Sequence, residues 1–139
     1  MILKQLPPNY EKLKEAFDLP EGTIFTWGKI VYNPDDIPID TPLMRHEEVH
    51  MIQQEKFGIK EWWDRYIAEP SFRASQEIPA YQVQFKEAKK IIKDKNIQNA
   101  YLIRLAKVLS SEMYGSCLTF NEARDAIKTE KLYDFCVDV

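Results

Sequence analysis

Only two histidines occur in this 139-residue chain, and they stand four residues apart in the run His46-Glu47-Glu48-Val49-His50. On a helix, residues i and i+4 lie one above the other, so a helix here commits the chain's whole supply of imidazole to one face. The flanks predict that helix. Thr41 offers a side-chain oxygen to free amides, Pro42 has a fixed φ and no donor to waste, and Gly58 suits a left-handed residue past the end. Together they frame a helix from Thr41 to about Phe57. Leu43, Met44, Val49, Met51 and Ile52 occupy several of its faces, which predicts a helix walled in by the core.

HExxH is the spacing with which two imidazoles hold one zinc ion while the adjacent glutamate, here Glu47, leans toward a metal-activated water. A charged cluster on a core-packed helix needs such a partner to be tolerated. A catalytic zinc site has three protein ligands, so a third must come from elsewhere. The extended pattern HExxHxxGxxH is absent, because Gln53 and Lys56 stand at its last two positions, and no third histidine exists. The third ligand must then be a carboxylate. Asp64, in Trp62-Trp63-Asp64-Arg65-Tyr66, follows the motif closely and lacks flanking glycines. Glu77, in Gln76-Glu77-Ile78-Pro79-Ala80-Tyr81, is the better placed of the two. It lies 27 residues after His50, room for one helix to end and a second to pack against it. Gln53 and Gln54, one turn beyond His50, fit either supporting partners of the site or ordinary polar positions.

The rest of the chain reads as one α+β domain, residues 1–139, mostly helical with a small β element before the motif helix. A composition of 45% hydrophobic and 29% charged residues suffices for one packed domain. A first helix is expected from Asn9, as cap, to Phe17, ended by Pro20 and Gly22. Thr23 to Asn33 is dense in β-branched and aromatic residues, with Gly28 marking a hairpin turn or a bulge. Further helices are expected over Lys60–Ala68, from Ser71 or Ser75 to Lys95 with Pro79 in the first turn or at a kink, and over Ile97–Ser110. Thr119 and Glu122 form a capping box for a last helix reaching about Lys128. Tyr133, Phe135 and Val137 form a terminal strand or pack back on the core.

Here the chain resembles the gluzincins, zinc metallopeptidases with HExxH on one helix and a glutamate ligand on the next, often within an ExxA-like pattern. Its length makes it most similar to minimal gluzincins and to small phage and prophage metallopeptidases. The resemblance covers roughly Thr23 to Phe85. It implies a zincin-like fold, His46, His50 and Glu77 as zinc ligands, Glu47 as general base, and a strand pair over Thr26–Tyr32 forming the upper rim of a cleft. Trp27 and Lys29 are the expected rim residues. Tyr81, one turn after Glu77, is a candidate hydrogen-bond donor to the developing oxyanion, against core packing as the alternative. Trp62, Trp63, Tyr66 and Phe72 fit a substrate pocket or the core, and the edge of Ile24–Val31 offers a route for an extended peptide to add as a strand.

A net charge of −3 argues against nucleic acid or an anionic membrane as partner, and the basic run Lys86, Lys89, Lys90, Lys93, Lys95 is interleaved with acids as on a solvated helix face. The helix pair Ile97–Ser110 and Phe120–Lys128 is joined by too long a connection for a helix-turn-helix. Cys117 and Cys136 have no CxxC spacing and make neither a disulfide framework nor a cysteine zinc site. The N-terminal segment MILKQLPPNYEKLK has no apolar h-region, so a cytoplasmic location is expected. The expected partner is a peptide or protein substrate, and a monomer suffices for such chemistry. The competing expectation keeps the zinc and drops catalysis: a phage- or host-associated structural or interaction protein, whose metal would be closed off by a fourth protein ligand.

Overall fold

The computed structural model describes residues 1–129 and Lys131. Its elements in chain order are β1 (Ile2–Leu3), α1 (Tyr10–Ala16), β2 (Phe25–Trp27), β3 (Ile30–Tyr32), α2 (Thr41–Phe57), α3 (Ile59–Ala68), α4 (Pro70–Ile91), α5 (Lys95–Leu109), a 3₁₀ turn (Glu112–Tyr114) and α6 (Phe120–Lys128). Six helices and a three-stranded sheet make the α+β architecture. The expected terminal strand and Cys136 lie outside the described residues, and Cys117 is an exposed free thiol.

Gly28 resolves as a hairpin turn. Its φ of +62° is open to glycine, and Trp27 pairs with Ile30 so that Gly28 and Lys29 are the two loop residues. The sheet order is β1-β3-β2: the first residues of the chain add parallel to β3, with Ile2 opposite Val31, and β2 is left at an edge. β1 is two residues long and carries no pattern of its own, which is why it was not expected.

α2 has the expected bounds but a different cap. Asp40 precedes it in an extended conformation and accepts the Leu43 N–H at 3.0 Å, so Thr41 is the first helical residue. A carboxylate at the positive end of the helix outcompetes a hydroxyl one residue later. Asn9 likewise stands before α1 but makes no side-chain cap bond. Past α2, Gly58 takes φ +91° and leads directly into α3; a Cβ there would meet the Glu61 carboxylate at 2.3 Å.

α4 begins at Pro70 rather than at a serine, since proline suits a first helical position. It stops at Ile91, short of Lys95, because Asp94 caps a new helix by accepting the Asn96 and Ile97 N–H groups at 2.8 and 3.1 Å. Pro79 lies in its interior, where it removes the donor for the Ser75 carbonyl. The capping box at Thr119 and Glu122 forms as expected.

α2 packs most extensively on α4. The buried face of α2 is not the apolar one anticipated: of Leu43, Met44, Val49, Met51 and Ile52 only Val49 is buried, while His46, Glu47, His50, Gln53 and Gln54 are inside. The apolar core is aromatic instead. Trp62 stacks on Tyr66 at 4.9 Å and meets Trp63 edge-on, with Phe72 behind. Buried Arg73 closes α3 by donating to the carbonyls of Tyr66 and Ile67 at 2.9 and 3.1 Å.

The caps give a direct check on this description. Asp40→Ala is expected to destabilise the protein by about 1 kcal/mol in urea unfolding and Thr41→Ala by less than half as much; the reverse order would return the cap to Thr41.

Candidate metal centre

His46 and His50 lie one turn apart on α2, and Glu77 faces them from α4. The His46 Nε2 and His50 Nε2 atoms are 3.2 Å apart, and each is 3.0 Å from Glu77 Oε1. All three side chains are buried, and among the described residues they form the one cluster with metal-ligating geometry. Asp64, the other carboxylate considered, is exposed and lies 3.9 Å from Lys12.

The protonation of both rings follows from their neighbours. Gln53 Nε2 donates to the Gln76 carbonyl at 2.9 Å, which turns Gln53 Oε1 toward His50 Nδ1, also at 2.9 Å. Gln84 Nε2 donates to the Tyr101 hydroxyl at 3.0 Å, which turns Gln84 Oε1 toward His46 Nδ1 at 2.9 Å. Both Nδ1 atoms therefore carry hydrogens, and both Nε2 atoms present lone pairs to Glu77. The other carboxylate oxygen, Oε2, accepts from Tyr66 at 2.5 Å and from Tyr114 at 3.5 Å. With both rings neutral, three buried acceptors thus converge on one point, where a proton or a metal ion would satisfy them.

A metal passes that test. Two ligands each about 2.0–2.1 Å from a tetrahedral zinc lie about 3.3 Å apart, close to the three separations observed. Nitrogen, nitrogen and oxygen from two neutral imidazoles and a carboxylate are also the donor set that zinc accepts. Without metal, a proton takes the place. Burial opposes a charged His50, but the charge and hydrogen bond of Glu77 prevail and raise its pKa from 6.5 to about 9. Burial likewise opposes ionised Glu77, yet His50 and His46 hold its carboxyl well below the usual range. Burial and then the Glu77 charge push the Tyr66, Tyr81 and Tyr114 hydroxyls up, so all three remain proton donors.

Glu47 stands apart from the ligands. Its Oε2 accepts a 2.6 Å hydrogen bond from the Thr26 hydroxyl on β2, and it lines the same cavity of about 350 Å³ as the three ligands. Glu48, the other glutamate of the motif, is turned away and paired with Arg45. Tyr81 lines the cavity too. Its ring meets His46 edge-on at 4.7 Å, and its hydroxyl is 3.4 Å from that of Tyr114 rather than bonded to a ligand. Trp62, Trp63 and Tyr66 are at once core residues and cavity wall.

The rim differs from expectation. Thr23, Ile24, Phe25 and Thr26 line the cavity, whereas Trp27 and Lys29 do not. The hairpin turn points away from the site, with Trp27 facing a separate hollow beside Asn9 and Lys60. The edge of β2 is also partly closed. Gln54 donates to the Thr26 carbonyl at 2.8 Å and accepts from the Gly28 N–H at 2.7 Å, as a neighbouring strand would, and Trp63 adds a 3.0 Å bond to the same carbonyl. An extended peptide would have to pair above Thr26.

Gln84 and Tyr114 are residues of the candidate site that the sequence did not single out; Thr26 fell within the expected rim strand and Tyr66 among the aromatics expected in a pocket or the core, neither as a partner of Glu47 or Glu77. No helix among the described residues is long and apolar enough to cross a membrane. Comparison with protein-family models, curated proteins and solved structures finds no match to this chain.

The raised His50 pKa sets a sign for pH dependence. In chelator-treated protein the His50–Glu77 pair contributes fully below about pH 6.5, the unfolded value, and its contribution is lost as pH rises through about 9. Melting temperatures are expected to fall across that window in the parent and to flatten in Glu77→Gln. A metal ion held by these ligands would displace the same proton, so its affinity is expected to climb up to about ten-fold per pH unit there. Parallel melting curves for the two proteins would contradict the pairing.

Proposed function

We propose that this protein is a small zinc-dependent metallopeptidase of the zincin type, resembling the gluzincins. The observation that carries the reading is Glu47: a buried carboxylate beside the three converging ligands, outside their set, held by Thr26 and open to the same cavity. A site that only stapled the fold would need no such base. It would also be closed by a fourth protein ligand, whereas the cluster among the described residues has three. Both points favour catalysis over a zinc-binding structural or interaction protein.

In this reading His46, His50 and Glu77 hold zinc, which when bound supplies Lewis acidity, activating a water and polarising the scissile carbonyl. Glu47 takes the proton of that water and delivers it to the leaving amine. The Thr26 hydroxyl fixes Oε2 and leaves Oε1 for the proton. Gln53 and Gln84 keep the imidazoles in the tautomer that presents Nε2. Tyr66 and Tyr114 hold Glu77 Oε2, so that Oε1 alone is turned to the histidines. The cavity lies between β2 and the α5 end of the molecule, and a peptide enters there with its carbonyl toward the ligands.

Elemental analysis should find about one zinc per chain, lost in His46→Ala and in Glu77→Ala. Glu47→Gln should keep the zinc and lose cleavage of a peptide library; equal cleavage by that variant would remove the mechanism. Thr26→Val, which leaves the ligands untouched, is expected to keep zinc and KM near the parent and to lower kcat by about ten-fold. An unchanged kcat would show that the Thr26 hydrogen bond does not position the base.

A further inference from the structure

The cavity of the metal centre holds a second polar group that the chemistry above leaves unused. Arg104, on α5, is the one permanent cation among its lining residues. The guanidinium lies over the ring of Tyr101 at 4.7 Å. The Tyr101 hydroxyl accepts from Gln84, whose other end takes the His46 Nδ1–H. The scaffold that orients a ligand imidazole therefore also orients the guanidinium.

Arg104 forms no ion pair among the described residues. Asp40, whose charge also reaches the Tyr101 hydroxyl, is engaged in capping α2. The two carboxylates of the cavity are committed as well, Glu47 to Thr26 and Glu77 to the histidines and Tyr66. Arg104 also hydrogen-bonds the Tyr101 hydroxyl; a guanidinium has five N–H donors, and those left over match a carboxylate in two parallel hydrogen bonds. Beside Arg104 the wall formed by α5 and the 3₁₀ turn is apolar: Leu105 is buried, and Val108 and Met113 are each 40% exposed. A cavity of about 350 Å³ is small for a ligand site. Arg104 is exposed and lines this cavity, so a group bound there lies in the same cavity as the three ligands.

We propose that Arg104 is a carboxylate receptor that selects peptides carrying a carboxylate next to an apolar side chain. The inference rests on the peptidase reading for its ligand class. The carboxylate belongs either to the substrate's own C-terminus or to an aspartate or glutamate side chain. The recognition chemistry is the same for both.

The test measures binding without turnover. Zinc-loaded Glu47→Gln protein is titrated at low salt into three fluorescein-labelled pentapeptides of one alanine and leucine sequence. One has a free C-terminus, one is amidated, and one is amidated with a glutamate replacing an alanine. At least one carboxylate-bearing peptide is expected to bind about ten-fold more tightly than the plain amidated one. Arg104→Gln should remove that advantage and Arg104→Lys should keep part of it, both with zinc content unchanged. An advantage confined to the free C-terminus identifies end-trimming; one confined to the glutamate peptide identifies an acidic side-chain preference. Equal binding of all three, or an advantage that survives in Arg104→Gln, overturns the proposal. A parent protein that cleaves none of the peptides while still discriminating among them loses the peptidase reading and keeps the receptor.

Discussion

Everything in this structure is arranged around three lone pairs that face one another in the interior. His46 Nε2, His50 Nε2 and Glu77 Oε1 lie within 3.2 Å of each other, and with both rings neutral and protonated at Nδ1 no hydrogen lies between them. In water such a cluster would disperse. Held in the core it is tolerable only with a cation at its centre, because an unsatisfied buried charge costs several kcal/mol. The same demand raises the His50 pKa, so a proton holds the position that a bound metal would take.

That demand explains the unusual interior of α2 and α4. Their shared face holds His46, Glu47, His50, Gln53, Gln54, Gln76, Glu77 and Gln84, all buried. Each glutamine has a defined task. Gln53 and Gln84 set the imidazoles, Gln76 ties Trp62 and Gln53 to the ligand helix, and Gln54 stands in for a missing strand at the β2 edge. Networks of this kind hold only when every member is satisfied. The apolar contribution is displaced to the aromatic cluster on α3 and the start of α4, which packs under the site and doubles as its wall.

The sequence made legible what depends on neighbours along the chain. The bounds of α2, the capping box of α6 and the glycine of the hairpin are local signals, and Glu77 was reachable because a histidine-poor chain needs a carboxylate within one helical connection. What it hid depends on folding. Thr26 meets Glu47 only because the hairpin lies across α2, and Tyr114 reaches Glu77 across 37 residues. Leu43, Met44 and Ile52 misled in the opposite sense, since hydrophobicity alone does not say which face a helix turns inward when polar side chains find partners there. Trp27 and Lys29 fell outside the rim because the register of a hairpin, not its composition, decides which end overlies the site.

The C-terminal third, which carried no recognisable motif, supplies what the motif helix lacks. Two helices and a hairpin bring His46, His50, Glu77 and Glu47 together but leave one side of the cavity unwalled. α5 and the 3₁₀ turn close that side with Arg104, Leu105, Val108, Met113 and Tyr114. The connection between α5 and α6, too long for a helix-turn-helix, carries Tyr114 beside Glu77 and Tyr81. Leu105 and Tyr114 belong at once to the core and to this wall, so residues that complete the core also shape the approach to His46, His50 and Glu77.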